Sequence, residues 1–294
     1  MVPKIIKKIL LFLNKNKIFR KLFSFIKKID NFEIVNVNNK EIFILDKNYT
    51  TNYRIKTFFS KEPETLSWID KFKNKSIFWD IGANIGLYSL YSQFLNKEIE
   101  VISFEPSILN LPSLIKNIHK NKLENNISVI LDVVINHVSN YDWHPLKYID
   151  KEVYFQLDNN GNYISQCCGN LLDTKNKYVQ NYIIESLKYW MVEYHIDGFR
   201  FDQAHLLSLE TAKFISDELR SVNPGVIIYG EAWDNRSGEF SQIDWGSFNA
   251  HFRDVLRGDL HNYDKKGFLF SSYRPNESKE DLKLIISGTS IDKG

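Results

Sequence analysis

In the second half of the chain, short apolar runs alternate with longer stretches whose apolar residues recur at helical spacing. Residues 127–135 are apolar except at Ser128 and Asp132, and they lead directly into Asn136-His137. An unbroken apolar strand of this kind suits a parallel sheet covered on both faces. Residues 138–177 are polar and rich in Tyr and Asn, with little periodicity. That is long for a loop and predicts a functional segment or a small subdomain. A helix is expected over 178–194, with Val179, Tyr182, Ile183, Leu187, Trp190 and Met191 on its apolar face. A short strand over 196–202, a helix over 209–222 stopped by Asn223-Pro224-Gly225, and a strand over 226–229 follow. Strand, helix, strand, helix with polar residues at the C-terminal strand ends is the order of a (β/α)8 barrel, which builds its site on that rim. Asp132, His137, Arg200, Asp202 and Glu231 are therefore expected on one rim.

The first half reads differently. Residues 76–80 form a β-prone apolar run ending in Asp80-Ile81-Gly82-Ala83-Asn84-Ile85-Gly86, and a helical pattern covers 87–95. A second strand over 99–104 is closed by Glu105-Pro106, where the proline blocks continuation and leaves a carboxylate at the strand's C-terminal end. Glycines at 82 and 86 let backbone approach a ligand, the helix N-terminus offers free N–H groups, and Glu105 stands where an acid can accept from ribose hydroxyls. The same spacing serves any tight βα turn in a doubly wound sheet, so the motif by itself leaves both readings open.

Composition changes this picture only locally. The chain has 294 residues, enough for two ordinary domains or one large one. Its 43% hydrophobic and 25% charged content is that of a globular protein. The 14% aromatic content suits either stacked sugar rings or a Phe-rich composition drawn from an AT-rich genome. A net charge of +2 gives no reason to expect a nucleic-acid partner. Residues 1–28 carry Lys and Arg but no acid, interleaved with Ile and Leu, and read either as a helix in weak peripheral contact with an anionic membrane or as a solvated helix. Their longest apolar run, residues 9–13, is far short of the roughly 18 residues of a membrane span. A cytoplasmic location is expected. Cys167 and Cys168 are adjacent, where a disulfide is geometrically difficult and metal-ligand spacing is lacking. They are expected as free thiols, and no metal ligands are assigned.

Two family resemblances follow from these segments. Glu62 to Thr65, Phe78-Trp79-Asp80-Ile81-Gly82-Ala83-Asn84-Ile85-Gly86, Phe104-Glu105-Pro106 and Asn117 resemble the start of an FkbM-type S-adenosylmethionine-dependent methyltransferase over about residues 45–128. That resemblance implies S-adenosylmethionine as cofactor. Asp80, Gly82, Asn84 and Gly86 would lie along its methionine and ribose, and Glu105 would hold the ribose diol. The later strands of such enzymes are not recognisable in this chain.

Asp132-Val133-Val134-Ile135-Asn136-His137, Gly198-Phe199-Arg200-Phe201-Asp202 and Gly230-Glu231-Ala232-Trp233 resemble, in order, the first three catalytic segments of glycoside hydrolase family 13. Ser139 to Asp142, Cys168-Gly169-Asn170, Ser186 to Trp190 and Phe252 to Gly258 are most similar to its pullulanase and debranching members. The resemblance implies an α-glucan substrate and a retaining mechanism, with Asp202 as nucleophile and Glu231 as general acid/base. Arg200 would orient Asp202, and His137 and His205 would contact sugar. Asn136 and Asp132 would brace the site or contribute to a calcium site, and Asp132 reads equally well as a buried network residue. The family's fourth segment, a later His-Asp pair, is not found before Gly294, and Leu171 stands where relatives often carry a polar residue.

The expected architecture is α/β, a partial (β/α)8 TIM barrel over 127–294 following a partial Rossmann-like methyltransferase sheet in 1–126. Three functional readings stand: an α-glucan hydrolase weakened by the missing segment, a methyltransferase, and an inactive fusion of two gene fragments.

Overall fold

A computed structural model describes residues 30–46, 48–140, 143–166, 169–233 and 236–257, together with Gly267 and Lys283. The basic segment 1–28, the Cys167-Cys168 pair, Tyr141, Asp142 and Gly258 lie outside them. Among the described residues no helix is long and apolar enough to cross a membrane. The chain divides into two compact units, residues 1–103 with 108–127 and residues 104–107 with 128–294.

The first unit opens with a hairpin that sequence reasoning did not anticipate, β1 (Phe32–Val37) paired antiparallel with β2 (Lys40–Leu45). Its turn is Asn38-Asn39, both left-handed at φ 47° and 61°. Asn tolerates that region, and two left-handed residues in succession match the natural twist of a hairpin. Val35, Val37, Ile42 and Ile44 alternate along the strands and are buried. Three short helices follow, α1 (Tyr49–Lys56), α2 (Phe58–Lys61) and α3 (Pro63–Ile69). Next come β3 (Ile77–Ile81), α4 (Leu87–Leu95), β4 (Glu100–Glu105), whose last two residues fall in the second unit, and α5 (Leu111–Lys120).

Two amides at the C-terminal end of α5 close the free edge of β2. Asn121 accepts from the Phe43 N–H at 2.9 Å and donates to its carbonyl at 2.7 Å. Asn117 accepts from the Leu45 N–H at 2.7 Å and donates to the Ile85 carbonyl at 2.8 Å. Side-chain amides thus supply the ladder bonds that another strand would have made, which satisfies buried backbone groups.

In the second unit β5 (Ile127–Val133) is followed by β6 (His137–Val138), α6 (Pro145–Ile149), α7 (Lys151–Tyr154), β7 (Ser165–Gln166) and β8 (Gly169–Leu171). The apolar run was expected to continue to residue 135, but β5 ends at Val133. Beyond it the backbone leaves the sheet, and His137 and Val138 pair with Leu171 and Asn170 in a small antiparallel sheet of order β6-β8-β7. The segment 138–177 is thereby a subdomain with its own hydrogen-bonded core, in which Leu171 is buried.

The remaining elements are α8 (Lys177–Tyr194), β9 (Gly198–Phe201), α9 (Leu209–Val222), β10 (Ile227–Gly230), α10 (Ser237–Ser241), β11 (Gly246–Ser247) and α11 (Ala250–Arg257). Strands β5, β9, β10 and β11 lie side by side in chain order, and their pairings are parallel. That is the order of successive strands in a (β/α)8 barrel. The register sets Asp132 beside Arg200 and Arg200 beside Tyr229, so these three side chains share a face. The opposite face carries Phe199 and Phe201, both fully buried.

Gly198 heads β9 where its neighbours crowd closest. A Cβ there would come 2.7 Å from Ile130 Cδ1 and closer still to the Ile227 carbonyl. Gly198→Ala is expected to destabilise the chain by about 1–3 kcal/mol through overpacking. Urea unfolding measures it, and a loss below about 0.5 kcal/mol, the range of ordinary surface changes, would mean that the strands part easily.

Candidate active site

Alternation along a strand places Arg200 and Asp202 on one face, because they are two residues apart. The register continues that relation: Gly230 lies opposite Phe201, so the next residues, Glu231 and Asp202, follow side by side just past the strand ends. One guanidinium joins the group. Arg200 Nη1 meets Asp132 Oδ1 at 2.8 Å and Asp202 Oδ1 at 2.9 Å, while Nη2 pairs with Glu231 Oε1. Three carboxylates converge on a single cation.

The residues beneath hold this cluster from the main chain. The Asp202 N–H donates to the Val133 carbonyl and the Glu231 N–H to the Phe201 carbonyl, at 2.9 and 3.1 Å. Asn136 is buried, and its Nδ2 donates to the carbonyls of Asp202 and Gln203 at 2.6 and 2.8 Å. Its Oδ1 lies 2.5 Å from His137 Nδ1. The Gln203 N–H donates to Glu231 Oε2 at 3.1 Å. His205, in a short 3-10 turn, donates its N–H to the Glu231 carbonyl at 3.2 Å.

Charge and burial oppose each other here. Burial lifts the Asp132 carboxyl above its ordinary range, against the pull of Arg200, and the charges of Asp202 and Glu231 lift it further. Burial draws Arg200 down, yet its bonds to Asp132 and Asp202 and the charge of Glu231 outweigh that and hold it above its usual value. His137 is pushed down by burial, with the Asp202 charge acting the other way. Tyr229 is pushed far up by burial and by the charge of Asp132, so it stands as a neutral phenol.

All four charged residues expected on the rim, Asp132, Arg200, Asp202 and Glu231, are thus brought together. His137 is buried behind Asn136, and His205 sits at the turn under Glu231. Sequence reasoning missed Gln203, Tyr229 and Phe248. Tyr229 was legible as the residue two before Glu231 on the same strand. Phe248 was not: its ring lies 5.1 Å from the Arg200 guanidinium only because β11 ends beside β10. Trp233 meets Phe248 edge to face at 6.4 Å and lies under the Arg253 guanidinium at 4.7 Å. Cation and ring faces attract, by roughly 0.5–2 kcal/mol per contact.

The calcium expectation for Asp132 and Asn136 does not fit these partners. Both polar atoms of the Asn136 amide are engaged within the chain, and Asp132 faces Arg200. Among the described residues no group of three or more His, Cys, Asp and Glu is arranged to hold a metal.

In the first unit Gly82, Asn84 and Gly86 are all left-handed, with φ of 83°, 56° and 82°. Asp80 is buried and one of its oxygens accepts from both the N–H and the hydroxyl of Ser89, at 3.1 and 2.5 Å. The cleft this turn lines with Phe58, Glu62 and Tyr88 holds about 70 Å³. Ligand pockets run to roughly 300–1,000 Å³, so this cleft alone does not enclose a nucleoside cofactor. Glu105, grouped by sequence with that turn, belongs to the second unit, where its carboxylate accepts from the Ser107 N–H at 2.7 Å.

No protein-family model matches the chain. Individual relatives do. It is 27% identical over 196 residues to a pullulanase of Bacillus subtilis, covering 61% of this chain and 26% of that protein. It is 36% identical over 168 residues to isoamylase 3 of rice, covering 50% of this chain and 21% of that one. Glycogen debranching enzyme of Escherichia fergusonii matches at 30% over 185 residues, 58% of this chain and 28% of the enzyme. Among solved structures, pullulanase from Bacillus acidopullulyticus superposes with a TM-score of 0.54 at 32% identity, covering 63% of this chain and 24% of that one. The pullulanase of Anoxybacillus sp. LM18-11 complexed with maltotetraose gives 0.53 at 30% identity, over 62% and 28% of the two chains. The chain therefore spans about a quarter of the length of these relatives, and they are all debranching-type glycoside hydrolases, in keeping with the three-segment resemblance.

The Asp132 shift has a consequence for stability. Because its folded value is raised, the folded chain takes up that proton at higher pH than the unfolded chain does, and the group's contribution improves as pH falls through the raised value. Asp132→Asn is expected to be at least as stable as the parent at neutral pH, with the difference closing as pH drops toward about 4, the ordinary carboxylate range. Urea unfolding at both pH values checks this. A marked loss at neutral pH would show that the Asp132–Arg200 pair outweighs its desolvation.

Proposed function

We propose that the second unit carries part of an α-glucan hydrolase site of the α-amylase family type, working by retaining double displacement. The observation that carries the reading is the convergence of Asp132, Asp202 and Glu231 on Arg200, at the C-terminal ends of three adjacent parallel strands. With Glu231 carrying the proton it will donate, the Asp202 carboxylate is the negative group set where a sugar ring would develop positive charge, and Arg200 holds it in place. Stabilising charge that develops in the transition state is commonly the largest catalytic contribution.

In this mechanism the Asp202 carboxylate attacks the anomeric carbon as Glu231 delivers a proton to the departing glycosidic oxygen. A glycosyl ester on Asp202 forms and the glycosidic bond breaks. Glu231, now the base, takes a proton from water, whose oxygen attacks the same carbon and releases Asp202. The two substitutions retain the configuration. Arg200 orients the Asp202 oxygen that does not attack, through a charge-assisted bond. To act as acid, Glu231 Oε1 must leave Arg200, take up a proton from solvent and turn it to the glycosidic oxygen, while Oε2 keeps the Gln203 N–H.

For the first unit a methyltransferase reading has the left-handed turn in its favour and the small cleft against it. Titration calorimetry with S-adenosylmethionine is expected to give weak binding at most; submicromolar affinity would restore that reading.

The hydrolase reading is tested by two substrates that differ in leaving group. Glu231→Gln is expected to lower pullulan turnover by roughly 10²–10⁴, and to slow formation of the glycosyl ester from a dinitrophenyl α-glucoside far less, because that leaving group needs no proton. Asp202→Ala should lose both. Equal loss on both substrates in Glu231→Gln, or inversion of configuration by NMR, would remove Glu231 from the acid role.

A further inference from the structure

The backbone just after Asp202 carries a second relation between the two reacting carboxylates. The Asp202 carbonyl and the Gln203 N–H are the two polar ends of one peptide plane, and in a trans peptide they point in opposite directions. The carbonyl end accepts from Asn136 Nδ2 at 2.6 Å, and the N–H end donates to Glu231 Oε2 at 3.1 Å. The same Asn136 amide takes the next carbonyl, that of Gln203, at 2.8 Å. Gln203 itself is left-handed, at φ 41° and ψ 46°, a conformation that a residue with a Cβ adopts only when its surroundings impose it.

From this geometry we infer that Asn136 and the 202–203 peptide form a lever that positions Glu231 against Asp202. Asn136 is a positioning residue: it touches neither carboxylate and acts through the plane of a peptide. If its two donors are removed, the left-handed turn loses what holds it. Rotation of the plane then withdraws the N–H from Glu231 and turns the Asp202 carbonyl toward that carboxylate, where oxygen faces oxygen. Glu231 Oε2 would lose its main-chain anchor to the nucleophile's own strand, leaving Arg200 on the other oxygen. Burial of Asn136 and its third bond, to His137, fix the amide's orientation so that both hydrogens face the turn. The lever stands on these distances alone; only its kinetic consequence rests on the hydrolase reading.

Two readouts test it on the full chain. Amide exchange, followed by NMR, should show the Gln203 N–H exchanging about five- to tenfold faster in Asn136→Ala, the loss of one ordinary hydrogen bond, while Phe199 and Phe201 in β9 keep their protection. Adding Gln203→Gly, which adopts the left-handed turn without strain, should recover most of that protection in the Asn136→Ala background. In turnover of pullulan, Asn136→Ala should lower kcat by on the order of a hundredfold, the effect of about 1 Å of misplacement, with KM little changed, and the added Gln203→Gly substitution should restore it.

Should Asn136→Ala fail to fold, Gln203→Val with Asn136 intact is expected to speed exchange at residue 203 in the same way, because a β-branched residue resists the left-handed turn. Unchanged protection at 203 in whichever variant folds, or no recovery with glycine, overturns the lever. A parent chain that binds no glucan and turns none over defeats the hydrolase reading instead, and the exchange results still decide the lever.

Discussion

The second unit depends on where the Arg200 guanidinium can reach. A guanidinium is a planar fork that stays charged, and in this protein it stands half-way up a buried strand among three acids that would otherwise repel one another. Its partners come from three strands, so the contact is available only if β5, β9 and β10 lie parallel and in the observed register. A slip of one residue would turn Arg200 to the face now filled by the fully buried Phe199 and Phe201, taking its charge away from the acids. The electrostatics of the site and the register of the sheet are therefore one constraint.

That constraint accounts for the ordering of side chains around the cluster. Phe248 covers a face of the guanidinium and leaves its edge for the carboxylates. Tyr229 shares the level of Asp132 and Arg200 as a neutral phenol, adding no further charge. Asn136 supplies no charge either; its amide fixes the backbone from which Asp202 and Gln203 project. The neutral groups hold geometry while the charged groups set the field of the cluster.

In the first unit side-chain amides and hydroxyls satisfy buried polar groups. Asn117 and Asn121 close the edge of the hairpin, and Ser89 answers the buried Asp80. Ile77, Trp79 and Ile81 on β3 are more than half exposed, an apolar outward face that contrasts with the fully buried Phe199 and Phe201 of β9.

Much of the second unit was legible in the sequence. Apolar runs and helical periodicity located β5, β9, β10, α8 and α9 to within a few residues, because strand and helix faces repeat at fixed intervals. Asp202 and Glu231 could be named because each stands at the end of such a run, and Asp132 and Arg200 because each interrupts one. The hairpin at 32–45 was overlooked, although Asn38-Asn39 between alternating apolar residues carries its signal. The end of β5 at Val133, the convergence of three acids on one guanidinium, the approach of Phe248 and the left-handed turn at Gln203 came from tertiary structure alone. Local pattern fixes which face a side chain takes along its own strand. Which strand lies beside it, and at what register, is set by packing between segments far apart in the chain, and that decides whether neighbouring charges meet.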